Sequence, residues 1–125
     1  MKCQKLTSLL VVDAIEPCLA PWQALGYEVS VRVPDTGLLG FVILNGAAGE
    51  LMLQTRESLA EDLPAVLARE PSFLLYGTVD SLADAQASLP SAEVLVPERK
   101  TFYGATEIWF ELPGGKILGL AEHSN

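Results

Sequence analysis

Apolar and polar positions along this chain fall into short blocks whose period changes repeatedly, and the changes mark the elements. Residues 6–12 (LTSLLVV) form an apolar run, β-branched at its end and too short for a helix, which predicts a strand. Asp13 then offers an N-cap oxygen, and Leu19, Trp22 and Leu25 at three-residue spacing predict a short helix ending at Gly26. Pro17 fits its first turn, Pro21 is expected to kink it, and Trp22 is read as core. Next, Tyr27, Val29, Val31 and Val33 alternate with Glu28, Ser30 and Arg32, the period of a half-buried strand. Past the turn Pro34-Asp35-Thr36-Gly37, residues 38–44 and 50–55 read as two more strands, joined by an Asn45-Gly46 hairpin cue.

The period then lengthens: Leu59, Leu63, Val66 and Leu67 predict a surface helix over residues 56–70, stopped by Pro71. Residues 72–79 (SFLLYGTV) return to a strand, Asp80 is placed to cap a short helix over 81–89, and 93–96 resumes extended structure. Residues 104–112 and 116–121 are the last strands, around Pro113-Gly114-Gly115. A shift of 67 positions lays Val12-Asp13 on Val79-Asp80, Leu6 on Phe73, and Leu51-Met52 on Leu118-Gly119. With the matching element order, this predicts an α+β chain of two βαβββ units: a first repeat over about 5–55, a linker helix over about 56–70 and a second repeat over about 72–122, in one domain of residues 1–125.

The order resembles the vicinal oxygen chelate superfamily, which includes glyoxalase I, extradiol dioxygenases and the bleomycin-resistance binding proteins. The resemblance is carried by Val11-Val12-Asp13, by Leu25-Gly26-Tyr27-Glu28-Val29, and by Tyr103-Gly104-Ala105-Thr106-Glu107-Ile108 with Pro113-Gly114-Gly115-Lys116-Ile117. In the family the last block reads like Tyr-Gly-x-Arg-Glu-Phe followed by Asp-Pro-Asp-Gly-Asn. Here Thr106 stands where Arg is common, Leu112 and Gly114 where Asp is, and Lys116 where Asn is. The resemblance implies two repeats forming a cupped mixed sheet with a cleft, and a metal held in the enzymes by His and Glu from the first and last strand of each repeat. Those four positions fall on Leu6, Met52, Phe73 and Gly119, none of which can hold such a cation.

Composition supports that expectation from another side. There is one histidine, His123, near the end of the chain, where it reads as a solvated residue, while a catalytic metal needs about three converging ligands. No metal and no cofactor are expected. A Gly-x-Ser-x-Gly, a P-loop and a Gly-x-Gly-x-x-Gly are all absent, and Cys3 and Cys18 read as reduced, inert thiols. The net charge is −8, shared evenly between the halves, which disfavours nucleic acid as a partner. Half the residues are apolar, yet no stretch approaches the roughly 20 needed to span a bilayer, and the opening residues lack the pattern of a leader. A cytoplasmic protein without a membrane partner is expected. Arg99-Lys100 reads as a basic step in a solvated loop.

Strand parity nominates a site. Ile108 and Phe110 suit a helix-packed face, which turns Glu107, Trp109 and Glu111 the other way. Met52 and Gln54 share the corresponding face of the first repeat, and Ser8 is assigned to it from the first strand. With Tyr103 and Phe73 these residues make a wall of aromatic, apolar and acidic groups, suited to a flat or cationic molecule that stacks on Trp109 or Tyr103 and pairs with a carboxylate. The expected function is metal-independent capture of such a small molecule, as in the bleomycin-resistance proteins, by a homodimer. The alternatives are a lyase or isomerase of the same superfamily with an atypical site, or a partner-binding domain whose cleft is filled by Leu6, Met52 and Phe73.

Overall fold

The first apolar run is a strand, β1 (Cys3–Val12), and its side chains alternate between two packed surfaces: Thr7, Leu9 and Val11 are buried, with Ser8, Leu10 and Val12 half-buried between them. The computed structural model describes residues 1–123 and holds two units, one of residues 8–73 and one of residues 1–7 with the chain from Leu74 onward. Strand, helix and three strands occur twice in succession, so the α+β class read from the pattern is the one observed.

In the first unit the strand order is β2-β3-β4-β1. β2 (Glu28–Val33) and β3 (Phe41–Gly46) are antiparallel, as are β3 and β4 (Gly49–Thr55), while β4 runs parallel to β1 from Ser8↔Leu51 to Val12↔Thr55. The helical segment is a 3₁₀ turn, Glu16–Cys18, followed by α1 (Leu19–Ala24). The expected kink is avoided because α1 begins only at Leu19, which leaves Pro21 in its first turn where the missing N–H costs nothing. Asp13 caps neither piece; its carboxylate pairs with Arg56 at 3.0 Å. The segment leans instead on Ile15, fully buried with Val42, Leu44 and Leu53.

Two sequence expectations change here. β2 is a strand, but it lies at the edge of the order and Val29, Val31 and Val33 stay 36–44% exposed, so it is not half-buried. The hairpin turns at Ala47-Ala48, between the paired Gly46 and Gly49, and not at Asn45-Gly46. The Tyr27 ring accounts for Gly46: a Cβ there would sit 3.0–3.1 Å from three of its atoms. The helix over 56–70 is divided into α2 (Arg56–Asp62) and α3 (Pro64–Leu67), since Leu63, ahead of Pro64, leaves the helical region at φ −138°. Its buried stripe, Leu59, Leu63 and Val66, is the one the spacing predicted.

In the second unit β5 (Phe73–Val79) is parallel to β8 (Ile117–His123), which pairs antiparallel with β7 (Ala105–Glu111), and β7 with β6 (Glu93–Lys100). Val79, Ile108, Phe110 and Leu120 pack with Leu82 and Ala85 of α4 (Leu82–Ala87). The cap of α4 is Ser81, whose hydroxyl accepts from the Asp84 N–H; Asp80 instead accepts from the N–H of Lys2. β6 extends to Lys100, beyond the predicted end, so Arg99 lies in a ladder and not in a loop.

Candidate functional site

β7 positions the site because its two faces have different neighbours. Ile108 and Phe110 point to α4, and alternation turns Glu107 and Trp109 to the opposite side. Both are buried, Glu107 at 0% and Trp109 at 2% exposure. A carboxylate in that setting requires partners, and Glu107 has five donors. Its Oε1 accepts from Arg99 Nε at 3.2 Å, Arg99 Nη2 at 3.0 Å and Trp109 Nε1 at 3.1 Å. Its Oε2 accepts from the hydroxyls of Tyr76 and Tyr103. The carboxylate has about four lone-pair sites, so its accepting capacity is used up within the protein.

Trp109 lies two residues along β7 itself, and the other partners are each brought in by a separate element. Arg99 sits opposite Glu107 in the β6–β7 register, and its side chain is 26% exposed. Tyr76 comes from β5, in register with Gly119 of β8, which in turn pairs with Trp109. Tyr103 comes from the β6–β7 turn, closed by Thr101 N–H to Ala105 O at 2.8 Å. Gly104 supplies the positive φ that the turn requires. Tyr103 is half exposed, and Phe102, 94% exposed, packs edge-on against it at 5.1 Å.

Trp109 covers Gly119: a Cβ on that glycine would lie 2.6–2.7 Å from three indole atoms. Its ring also lies 5.8 Å from that of Tyr76. The expectation of a ligand stacking on Trp109 and pairing with Glu107 therefore meets two groups already engaged inside the protein. The exposed aromatic surface belongs to Tyr103 and Phe102. Glu111, further along the same face of β7, is partly exposed.

The remaining candidates belong to the first unit. Met52 (8% exposed) and Gln54 (7%) are buried, and Gln54 Nε2 donates to Ser58 Oγ at 3.0 Å. Ser8 is not on their face: it pairs with Leu51, while Leu9 and Val11 pair with Met52 and Gln54. The parity of β1 is set by Leu10 and Val12, which join the core beneath α1. Phe73 is 38% exposed and opens β5 with the parity of Gly77 and Val79, not of Tyr76. Leu6 shares the parity of Ser8, so of the four positions implied for a metal only Met52 and Gly119 keep the face away from the helices.

The residues present do not fit a metal of the kind the fold family implies. Among the described residues no three His, Cys, Asp or Glu side chains converge, and the indole of Trp109 fills the space over Gly119. An acidic hollow of about 340 Å³ in the first unit lies beside Asp13, Glu16 and Glu61, and two of these carboxylates are internally engaged. There Asp13 pairs with Arg56, and Glu16 accepts the Leu39 N–H at 2.7 Å, which holds its carboxyl below the usual range.

Two members of the Glu107 cluster, Tyr76 and Arg99, escaped the sequence reading. Tyr76 was hidden because assigning Phe73 to the site's face turns Tyr76, three residues on, to the opposite one. Arg99 was hidden because the irregularities between Val94 and Arg99 break the alternation of β6.

Burial, together with the bond to Glu107, pushes the Tyr103 phenol up to about 12, and burial raises Tyr76 as well. An unfolded tyrosine ionises near ~10. The neutral phenol is thus favoured by folding, and its stabilisation is complete below about pH 10 and lost as the pH rises toward about 12. Urea-unfolding free energies should fall more steeply between those pH values for the wild type than for Tyr103→Phe. Equal slopes would mean that Tyr103 titrates as a free phenol.

No family model matches the chain, and no curated protein is similar to it. Solved structures do match its fold. Methylmalonyl-CoA epimerase from Mycobacterium tuberculosis superposes with a TM-score of 0.69 at 15% identity, covering 98% of this chain and 90% of that one. A glyoxalase/bleomycin resistance protein/dioxygenase superfamily member from Vibrio splendidus gives 0.67 at 15% identity, over 94% and 97%. A protein from Staphylococcus aureus gives 0.67 at 16%, over 99% and 100%. The chain therefore has the fold of the glyoxalase/bleomycin-resistance/dioxygenase superfamily.

Proposed function

We propose that this chain is a metal-independent binding protein of the glyoxalase/bleomycin-resistance type that captures an aromatic or cationic small molecule, such as an antibiotic, without turning it over. The observation that carries the reading is the exposed aromatic pair beside Glu107: Tyr103 is held by the buried carboxylate that also anchors Tyr76 and Trp109 beneath it, and Phe102 stands exposed against Tyr103. A ring fixed as Tyr103 is loses little conformational freedom when a flat ligand covers it, which favours binding. Glu107 is closed off by its donors, and the phenols are held neutral.

The test is thermal unfolding against a panel of aromatic and cationic compounds and, separately, divalent metals. A ligand at 100 times its Kd should add about 2.7 kcal/mol of stability. Phe102→Ala should leave the stability of the free protein unchanged, because that ring is solvent-exposed, and weaken a bound aromatic compound by roughly tenfold. Stabilisation by a divalent metal and by no organic compound would overturn the reading in favour of a metal-dependent lyase or isomerase.

A further inference from the structure

We infer that Glu107 sets the hydrogen-bonding sense of this aromatic face. It draws both phenol hydrogens inward, so that the tyrosines meet a ligand as acceptors, and the face selects an aromatic molecule carrying a protonated amine over one carrying a carboxylate. The inference deepens the binding reading and rests on it.

The direction of the bonds follows from which groups have protons to give. Arg99 and Trp109 have donors and no acceptor, so Oε1 accepts from both. With the guanidinium as counter-charge the carboxylate is the anion, and on Oε2 the Tyr76 and Tyr103 hydroxyls must donate. A hydroxyl whose hydrogen is committed keeps lone pairs but has nothing left to offer an incoming oxygen. Donation to an anion also makes that hydroxyl oxygen a stronger acceptor. Tyr103, half exposed at the tip of its hairpin, is where a ligand meets this arrangement, with Phe102 beside it as an apolar flank.

Arg99 supplies the opposing possibility. It is the cation of the cluster, its side chain is partly exposed, and an anionic ligand would be drawn to it. The structure favours the phenols because two guanidinium nitrogens are already held on Glu107 Oε1, which matches that charge with an opposite one. Glu107 is therefore a positioning residue: it acts on a ligand through the two hydroxyls.

The experiment compares two probes of matched shape, naphthylethylammonium and naphthylacetate, titrated into the full chain. The tyrosine ring resonances and the Trp109 indole N–H are followed by NMR. The wild type should bind the ammonium about tenfold more tightly, the value of roughly one hydrogen bond to a charged group. Glu107→Gln keeps the shape but turns an amide N–H toward the phenols, freeing their hydrogens to point outward, so the preference should vanish or invert. Should that variant fail to fold, Tyr103→Phe leaves the Glu107–Arg99 pair intact. It should lower the affinity of the ammonium several-fold and leave that of naphthylacetate unchanged. A wild type that prefers naphthylacetate overturns the inference in favour of Arg99 while the binding reading stands. A preference unaltered in both variants overturns it as well. If neither probe moves the tyrosine or indole resonances, the binding reading fails together with the inference.

Discussion

Glu107→Ala is expected to cost about 3–5 kcal/mol of folding stability, the range found when one member of a buried charge pair is removed. The deletion takes away the counter-charge of Arg99, the acceptor of two phenols and the acceptor of the indole N–H in one step. Because the carboxylate is 0% exposed, no solvent stands ready to replace it. The same change removes the bond that returns Tyr103 from the β6–β7 turn, so hydrogen exchange around residues 101–104 should rise along with the global loss. Urea unfolding of the variant against the wild type measures the cost. A loss below about 1 kcal/mol would mean that water enters and satisfies the abandoned donors.

The second large effect lies in the contact between Trp109 and Gly119. Trp109→Ala should cost about 3–5 kcal/mol, as removal of a buried large aromatic side chain does. Gly119→Ala should cost about 1–3 kcal/mol, because the new methyl group would lie 2.6–2.7 Å from indole ring atoms. The ring has little freedom to retreat, held by its Nε1 on Glu107 and flanked by Tyr76. The two losses should not add. With the indole gone the nearest atoms facing the Gly119 methyl are removed, and the double variant should be about as stable as Trp109→Ala alone. Additive losses in a double-mutant cycle would show that the glycine is required for its backbone and not for its closeness to the ring.

Much of the architecture is legible in one dimension. Period and punctuation locate nearly every element, since alternation, three-to-four spacing, and Gly or Pro breaks are local properties of the chain. Misreadings cluster at boundaries, where a neighbour competes with a local rule. Asp13 and Asp80 look like caps, but Ser81 is better placed for α4, and Arg56 takes the carboxylate of Asp13. The segment 56–70 reads as one helix because its apolar stripe is continuous, whereas Pro64 restricts the backbone of Leu63 and divides it.

The sequence by itself determined the α+β order, the helix-packed face of β7 and hence that Glu107 and Trp109 share the other. Each follows from a period and needs no knowledge of distant residues. Only the tertiary structure decided what those two side chains do. Parity says which way Glu107 points and puts Trp109 beside it, but its other donors come from residues 76, 99 and 103, on other strands and a turn whose register no local pattern encodes. Likewise, a glycine at position 119 and a tryptophan at 109 are unrelated until the β7–β8 ladder sets them side by side. Ser8 shows the same limit, because its face depends on which neighbours of β1 reach the core beneath α1. Local periodicity fixes direction along a strand; long-range pairing determines what each side chain meets there, and the chemistry of this face arises from those meetings.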